Sequence, residues 1–417
     1  MVSCFSAHLP GFQWEALSLI TEQGNDRIKG LKVLITGGRA PAALELVRLL
    51  AAEGCQVHVA ESAKKHLCIG SKAVKCWHTV PSPAQNTAGF LATLVQIIEN
   101  EKIDLLIPTC EEIFYIASGL EKLQQFCRIY CAPIQQLRRL HSKWSFIRRA
   151  EELGFEVPET LLIQSPGEII AKTDTFRDGY VLKPEFSRFA AKVRVIRHHK
   201  PPTDDLDQES YPWVAQQFIS GKSICTYSVV HRGKIIAHAD YEAKYAIDGG
   251  ACIYFEPLFH DKAQQWVARF VGEEQFTGQI GFDFIETAEG NLFPLECNPR
   301  ATSGLHLLAA EYGMADVFLK PEEVRSSVLK PGVKSRAMIA LPMLLYGFKN
   351  LLSRKQKRLI WLKKLATTRD VIFRWEDRRP FFQQAAMLLE IRQMAKRRQQ
   401  TLVEASTADI EWNGEVI

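Results

Sequence analysis

The chain has 417 residues, 47% hydrophobic and 24% charged, the composition of a soluble globular protein with two or three domains. Ten cysteines without a Cys-x-x-Cys pair, and a start without a basic leader segment, predict a reduced, cytoplasmic protein; the longest apolar run, residues 337–348, contains Pro342 and falls short of the roughly 20 residues a membrane span needs. The net charge of +5 conceals an asymmetry, since residues 330–400 carry 18 Lys and Arg against 4 Asp and Glu, leaving 34 against 43 elsewhere.

In chain order, "LKVLITGG" (residues 31–38) is an apolar run ending in glycines, "APAALELVRLLAAEG" repeats its apolar residues at helical spacing, and "CQVHVAES" reads as a second strand. "LATLVQIIENEKIDLLIPTCEE" adds another helix and a strand at 104–108, so the chain opens as a parallel α/β domain predicted to end near residue 135. A phosphate-binding reading of the glycine turn competes with a plain strand-to-helix turn, because "TGGRAPAAL" departs from G-x-G-x-x-G.

From about residue 140 the pattern becomes α+β. "SKWSFIRRAEELGFEVPET" is a helix stopping at Gly154, and "GYVLKPE", "KVRVIRHH" and "YPWVAQQFISG" are strands. "SICTYSVVHRGKIIAHADY" is a hairpin turning at Arg232-Gly233, and "GQIGFDFIETAEGNLFPLECN" a second turning at residues 289–291.

The second hairpin carries the chemistry. Residues two apart on a strand share a face, so Glu296 and Asn298 project together, and the hairpin can bring Asp283, between Phe282 and Phe284, across from Glu296. Two carboxylates and an amide oxygen form a hard-oxygen set suited to Mg²⁺. Arg300, just beyond, can hold a phosphoryl group through charge-assisted hydrogen bonds. The alternative is a hairpin whose acids face solvent. Lys183, flanked by Val181, Leu182 and Pro184, suggests an anion partner, against the commoner solvated strand lysine.

The order Lys143, Lys183, "AQQFISG", then Asp283, Glu296, Asn298 and Arg300 resembles the ATP-grasp superfamily over roughly residues 30–310. The resemblance implies a parallel, Rossmann-like pre-ATP-grasp domain over 1–135, a two-lobed α+β ATP-grasp domain over 136–325, and a basic helical extension over 326–417. It makes Asp283, Glu296 and Asn298 metal ligands, and Arg300 a phosphate-contacting catalytic residue. Lys143 and Lys183 become the two nucleotide-binding lysines, while Gln216 and the backbone of Gln217, Phe218 and Ile219 meet the adenine edge. The phosphate-covering loop, "EFSRFAAKVRV", lacks the family's glycines, so Ser187 and Arg188 are expected to donate from side chains. A second departure is Ser223, where the family often has an acid for the ribose. Lys244, with the Asp248-Gly249-Gly250 loop, and His306 are candidates for work at the acceptor, against a plain glycine loop and a helix cap.

The activity implied is an ATP- and Mg²⁺-dependent (or Mn²⁺-dependent) ligase, which joins a small carboxylate to an amine through an acylphosphate. The alternatives are a carboxyphosphate- or carbamoyl-phosphate-forming enzyme, and a nucleotide-binding regulatory or membrane-recruited protein without turnover. In the C-terminal segment Leu345, Phe348, Leu352, Leu359 and Leu362 recur at helical spacing. The stripe over 345–365 could contact an anionic membrane surface; the preferred expectation packs the leucines onto the catalytic lobes. A nucleic-acid partner is disfavoured for want of a reader motif, a homodimer is compatible, and residues 401–417 are expected to be disordered.

Overall fold

The computed structural model describes residues 29–176, 178–187, 192–197, 211–246, 252–324, 327–351 and 355–415. Arg188 and the 248–250 loop lie outside them.

Five parallel strands open the chain: β1 (Lys32–Thr36), β2 (Gln56–Glu61), β3 (Cys76–Thr79), β4 (Leu105–Ile107) and β5 (Arg128–Ile129), in the order β3-β2-β1-β4-β5. The run "KVLIT" is apolar throughout because both its faces are covered. Val33 and Ile35 pack with Leu44, Leu46 and Val47 of helix Pro41–Ala52, while Leu34 packs with Phe90 and Leu94 of helix Thr87–Glu101. Gly37 makes the turn between β1 and its helix at φ +76, where a Cβ would come within 2.6 Å of the Thr109 hydroxyl. Carboxylates fill this turn. Glu112 accepts from Thr36 Oγ1 (2.7 Å) and the amides of Thr109 and Cys110, and Glu61 accepts from the Arg39 amide (2.9 Å). A dinucleotide phosphate would meet two acids here, so the plain-turn reading holds.

A four-stranded antiparallel sheet follows, with β6 (Thr160–Ile163), β7 (Tyr180–Pro184), β8 (Arg194–Ile196) and β9 (Trp213–Gln217) in the order β6-β9-β7-β8. It has its own small core, including Ile163, Tyr180, Leu182 and Trp213. A larger antiparallel sheet comprises β10 (Lys222–His231), β11 (Lys234–Glu242), β13 (Pro257–Leu258), β14 (Gly278–Glu286) and β15 (Leu292–Asn298), ordered β13-β11-β10-β14-β15, while the short β12 (Tyr254–Phe255) belongs to a separate small sheet. The β10–β11 turn sits at Arg232-Gly233, both at positive φ as a tight hairpin requires. Trp266 and Phe270 of helix Asp261–Glu273 press on Phe282 and Phe284 of β14, which shows why the acid between those two phenylalanines faces the other way.

The C-terminal segment departs from expectation twice. The described part of its apolar stripe is not buried: Leu345, Leu359 and Leu362 are 60%, 61% and 45% exposed, while Leu352 and the Phe348 side chain lie outside what the structure describes. The segment forms two helices, Ala340–Leu351 and Lys355–Thr367, and the residues that turn inward are Met343 and Trp361, whose Nε1 donates to the Met343 carbonyl (3.0 Å). Among the described residues no helix is long and apolar enough to cross a membrane. Part of the basic charge is internal. Arg369 and Arg374 pair with Glu45, and Arg48 with Asp377 (2.9 Å), fastening this segment to the first helix.

The second departure is the tail, which is ordered and docked over residues 401–415. Thr401 and Glu404 form a capping box for helix Leu402–Thr407. Asp409 pairs with Arg39 (2.5 Å), and Trp412, 3% exposed, stacks on Phe114 with ring centroids 4.6 Å apart.

Glu45 supplies a pH-dependent prediction. It is fully buried, yet its bond to His306 and the charges of Arg369 and Arg374 outweigh the burial and hold its carboxyl at about 2. The folded value lies below the unfolded one, so its contribution to stability is complete above about pH 5 and is lost as pH falls toward 2. Chemical unfolding of a Glu45→Gln chain should therefore show a shallower acid dependence than the wild type over that window.

Candidate active site

Each antiparallel sheet brings groups to a common recess. Lys143 opens helix Lys143–Glu152, whose preceding Ser142 accepts from the Ser145 amide (3.0 Å) as its cap. The Lys143 Nζ donates to the Ser187 carbonyl (3.0 Å) and stands 3.8 Å from Glu296 Oε2. Lys183, on β7, donates to Gln216 Oε1 (3.0 Å) and to the Leu295 carbonyl (3.3 Å). That carbonyl is available because of a bulge: Asp283 pairs with Glu296 and Phe284 with Pro294, leaving Leu295 as the extra residue on β15. Burial lowers the pKa of both lysines, that of Lys183 to about 8, against the opposing pull of Glu296.

The β14–β15 register sets Asp283 directly opposite Glu296. Asn298 Nδ2 lies 3.4 Å from Asp283 Oδ2 and 3.5 Å from Glu296 Oε1, and Arg300 donates to Asn298 Oδ1 (3.1 Å). Burial in the recess and the neighbouring Glu296 charge push Asp283 up to about 7. Glu296 is affected oppositely, because the Lys143 and Lys183 charges outweigh its burial and hold it below the usual carboxylate range. Two acids this close cannot both ionise freely unless a cation lies between them. With the Asn298 amide turned to present Oδ1, the three side chains make an oxygen-only set fitting Mg²⁺ or Mn²⁺.

The other predicted residues are distributed unevenly. The Gln216 side chain is spent on Lys183 and on Thr160 Oγ1 (3.2 Å), so it positions the lysine. The amides of Gln217 and Phe218 donate to Glu159 and Gly179 carbonyls (2.8 and 3.0 Å), and Ile219 follows them, half-buried. Ser187 touches the site through its carbonyl. Lys244 is 44% exposed and pairs with Glu242 (3.2 Å). His306 is not at the phosphate end: it is 3% exposed, bonds Glu45 through Nδ1 (3.0 Å), and packs on Phe255.

Three contributors carry no motif in the sequence. Cys225 pairs with Asp283 across β10–β14, and its thiol, pushed up by burial, bonds that carboxyl. Glu111, fully buried, has Oε1 3.9 Å from Arg300 Nε and 4.0 Å from His141 Nε2, and accepts from the Trp412 amide (3.3 Å). Trp412 in turn meets Phe186, in the segment following Lys183, edge-on at 5.3 Å.

With this geometry in place, comparison is decisive for the central segment: a family model described as an ATP-grasp domain matches residues 140–304. Residues 140–304 are an ATP-grasp domain. The likeness in fold extends past that segment. N5-carboxyaminoimidazole synthetase from Staphylococcus aureus complexed with ADP is 15% identical, with a TM-score of 0.60, covering 77% of this chain and 86% of that one. L-amino acid ligase from Bacillus licheniformis is 13% identical (TM-score 0.54, covering 71% and 78%). The biotin carboxylase domain of Hydrogenobacter thermophilus 2-oxoglutarate carboxylase, in complex with MgADP, ADP and bicarbonate, is 11% identical (TM-score 0.57, covering 72% of each chain). No curated protein matches the chain.

Beside the ATP-grasp domain, the first sheet meets the C-terminal helices around a cavity of about 220 Å³. It lies beyond the strand ends where β1 is flanked by β2 and β4, the switch point at which open α/β sheets bind ligands. Met387, Ile391, Met394 and Ile410 give it an apolar wall, and the Arg39 guanidinium at its rim is already paired with Glu61 and Asp409. Cys110, also in the lining, immediately precedes the Glu111 that faces Arg300.

Proposed function

We propose that the protein is an ATP-dependent ligase that activates a small carboxylate as an acylphosphate and passes the acyl group to an amine. The observation carrying this reading is the Asp283–Glu296 pair, set between Lys143 and Lys183 within an ATP-grasp domain. Phosphoryl transfer needs positioned cations and a metal site rather than an internal nucleophile.

Lys183 and Lys143 bind the nucleotide phosphates from opposite lobes. Asp283, Glu296 and Asn298 would hold Mg²⁺, which would supply charge neutralisation to the nucleotide phosphates. A carboxylate oxygen of the acid attacks the γ-phosphorus and the bond to the β-phosphate oxygen breaks, releasing ADP. Arg300, held beside the buried Glu111, steadies the transferred phosphoryl group. The amine then attacks the acyl carbon, phosphate leaves, and the amine proton passes to solvent or a nearby base. The apolar cavity accommodates a non-polar portion of the acid or amine. Filling it with Met394→Trp should raise the KM for that substrate about tenfold or more, leaving the KM for ATP unchanged in steady-state assays.

The test is ADP release by the purified chain with Mg-ATP, offered pooled small acids and amines separately and together. Release that requires an acid, and rises when an amine is added, supports the ligase. Tight ATP binding with no release from any pool would move the reading to a nucleotide-binding regulator. Bicarbonate belongs in the acid pool as a separate arm, because a neighbouring structure holds it and a carboxyphosphate-forming enzyme is the alternative activity.

A further inference from the structure

A second donor cluster lies on the parallel sheet, among residues that the ligase reading does not use. β2 and β3 pair in register, with His58 opposite Cys76 and Ala60 opposite His78, so the three polar side chains share one sheet face. His58 is 2% exposed, whereas Cys76 and His78 are half-buried on the edge strand. His58 Nδ1 and His78 Nε2 stand 3.2 Å apart, and the two ring nitrogens and the Cys76 sulfur all lie within 4.8 Å of one another.

We propose that His58, Cys76 and His78 bind a Zn²⁺ ion, with a fourth coordination position open to solvent. Tetrahedral zinc with Zn–N of about 2.0 Å and Zn–S of about 2.3 Å sets its ligand atoms about 3.3–3.6 Å apart. The imidazole nitrogens, 3.2 Å apart, stand just under that spacing, and the Cys76 sulfur, within 4.8 Å of both and now 3.7 Å from the Trp77 carbonyl, would turn from that carbonyl to complete the set. Two imidazoles and a thiolate exclude Mg²⁺ and Ca²⁺, which take oxygen ligands, and favour a borderline ion. Glu101 is the nearby acid and favours a cation, while Lys32 and Lys75 oppose it. The competing account is a neutral His–His hydrogen bond with a bystander thiol.

Co²⁺, as a spectroscopic substitute for Zn²⁺, separates the two accounts in the full chain after chelator treatment. One thiolate-ligated Co²⁺ per chain should bind, with an intense charge-transfer band and the strong visible absorption of tetrahedral Co²⁺, distinct from any weakly absorbing ion in the all-oxygen recess of Asp283 and Glu296, and Zn²⁺ should displace it. Cys76→Ser should abolish the charge-transfer band, and His78→Gln should weaken Zn²⁺ binding at least about tenfold. Both positions are half-buried, so an unchanged thermal melt shows that the fold survives. Glu296→Ala and Cys127→Ser should leave the Co²⁺ spectrum unaltered. Absence of a thiolate band, or a band that persists in Cys76→Ser, would overturn the proposal.

Discussion

Replacing Glu296 with Ala is expected to lower acid-dependent ADP release at least about a hundredfold while leaving the thermal melt near that of the wild type. The side chain is 32% exposed and is not among the buried residues of the core. Its removal strips one oxygen ligand and leaves Lys183 to Asp283 and Lys143 to the weaker pull of the Glu111 and Glu185 charges. The same substitution has a spectroscopic signature. Asp283 is held up at about 7 first by burial and then by the Glu296 charge, so in the variant its pKa should fall part of the way toward the ordinary carboxylate range. A carboxyl NMR titration measures that shift. Full turnover in the variant would remove Glu296 from the chemistry, whatever its place in the recess.

Trp412→Ala should produce the largest loss of stability at any single position discussed. Emptying a nearly fully buried indole site costs about 3–5 kcal/mol. This indole stacks on Phe114 of the first domain and meets Phe186 of the ATP-grasp domain, joining the two. Gly414 closes the same contact at φ +90, where a Cβ would come 2.3 Å from the Phe186 ring. Phe186 directly precedes Ser187, whose carbonyl holds Lys143, so the variant should also raise the KM for ATP. Trp412→Phe should recover most of both effects. Urea unfolding followed by ATP kinetics checks the pair; an unchanged unfolding midpoint in Trp412→Ala would show that the tail is a passive passenger.

The parts legible in the sequence were those in which many residues repeat one signal. The run "KVLIT" before a glycine turn, and the alternation in "LECN", each follow from the periodicity of strands, and the hairpin length then sets Asp283 opposite Glu296. The edge strand β3 escaped notice because "CWHT" is four residues of mixed polarity. The tail was misread because its anchors are dispersed: one tryptophan, one aspartate, and a Thr401-x-x-Glu404 cap whose spacing was present but stood next to a polar stretch. Glu111 and Glu45 are buried acids whose partners lie far along the chain, in Arg300 and Trp412 for one and in His306 and Arg369 for the other. No local pattern announces such pairs. His306 illustrates the converse error, since proximity in sequence to Arg300 suggested a chemical role while the fold turns its ring toward Glu45.

The central claim is that the carboxylate of one substrate attacks the γ-phosphate, and oxygen transfer reports on that bond directly. The purified chain, supplied with Mg-ATP, an amine pool and the accepted acid carrying ¹⁸O in its carboxyl group, should release phosphate containing one ¹⁸O atom for each amide formed. Phosphate released without label, in ordinary water and with the acid consumed, would contradict an acylphosphate and, with it, the assignment of this recess as a ligase site.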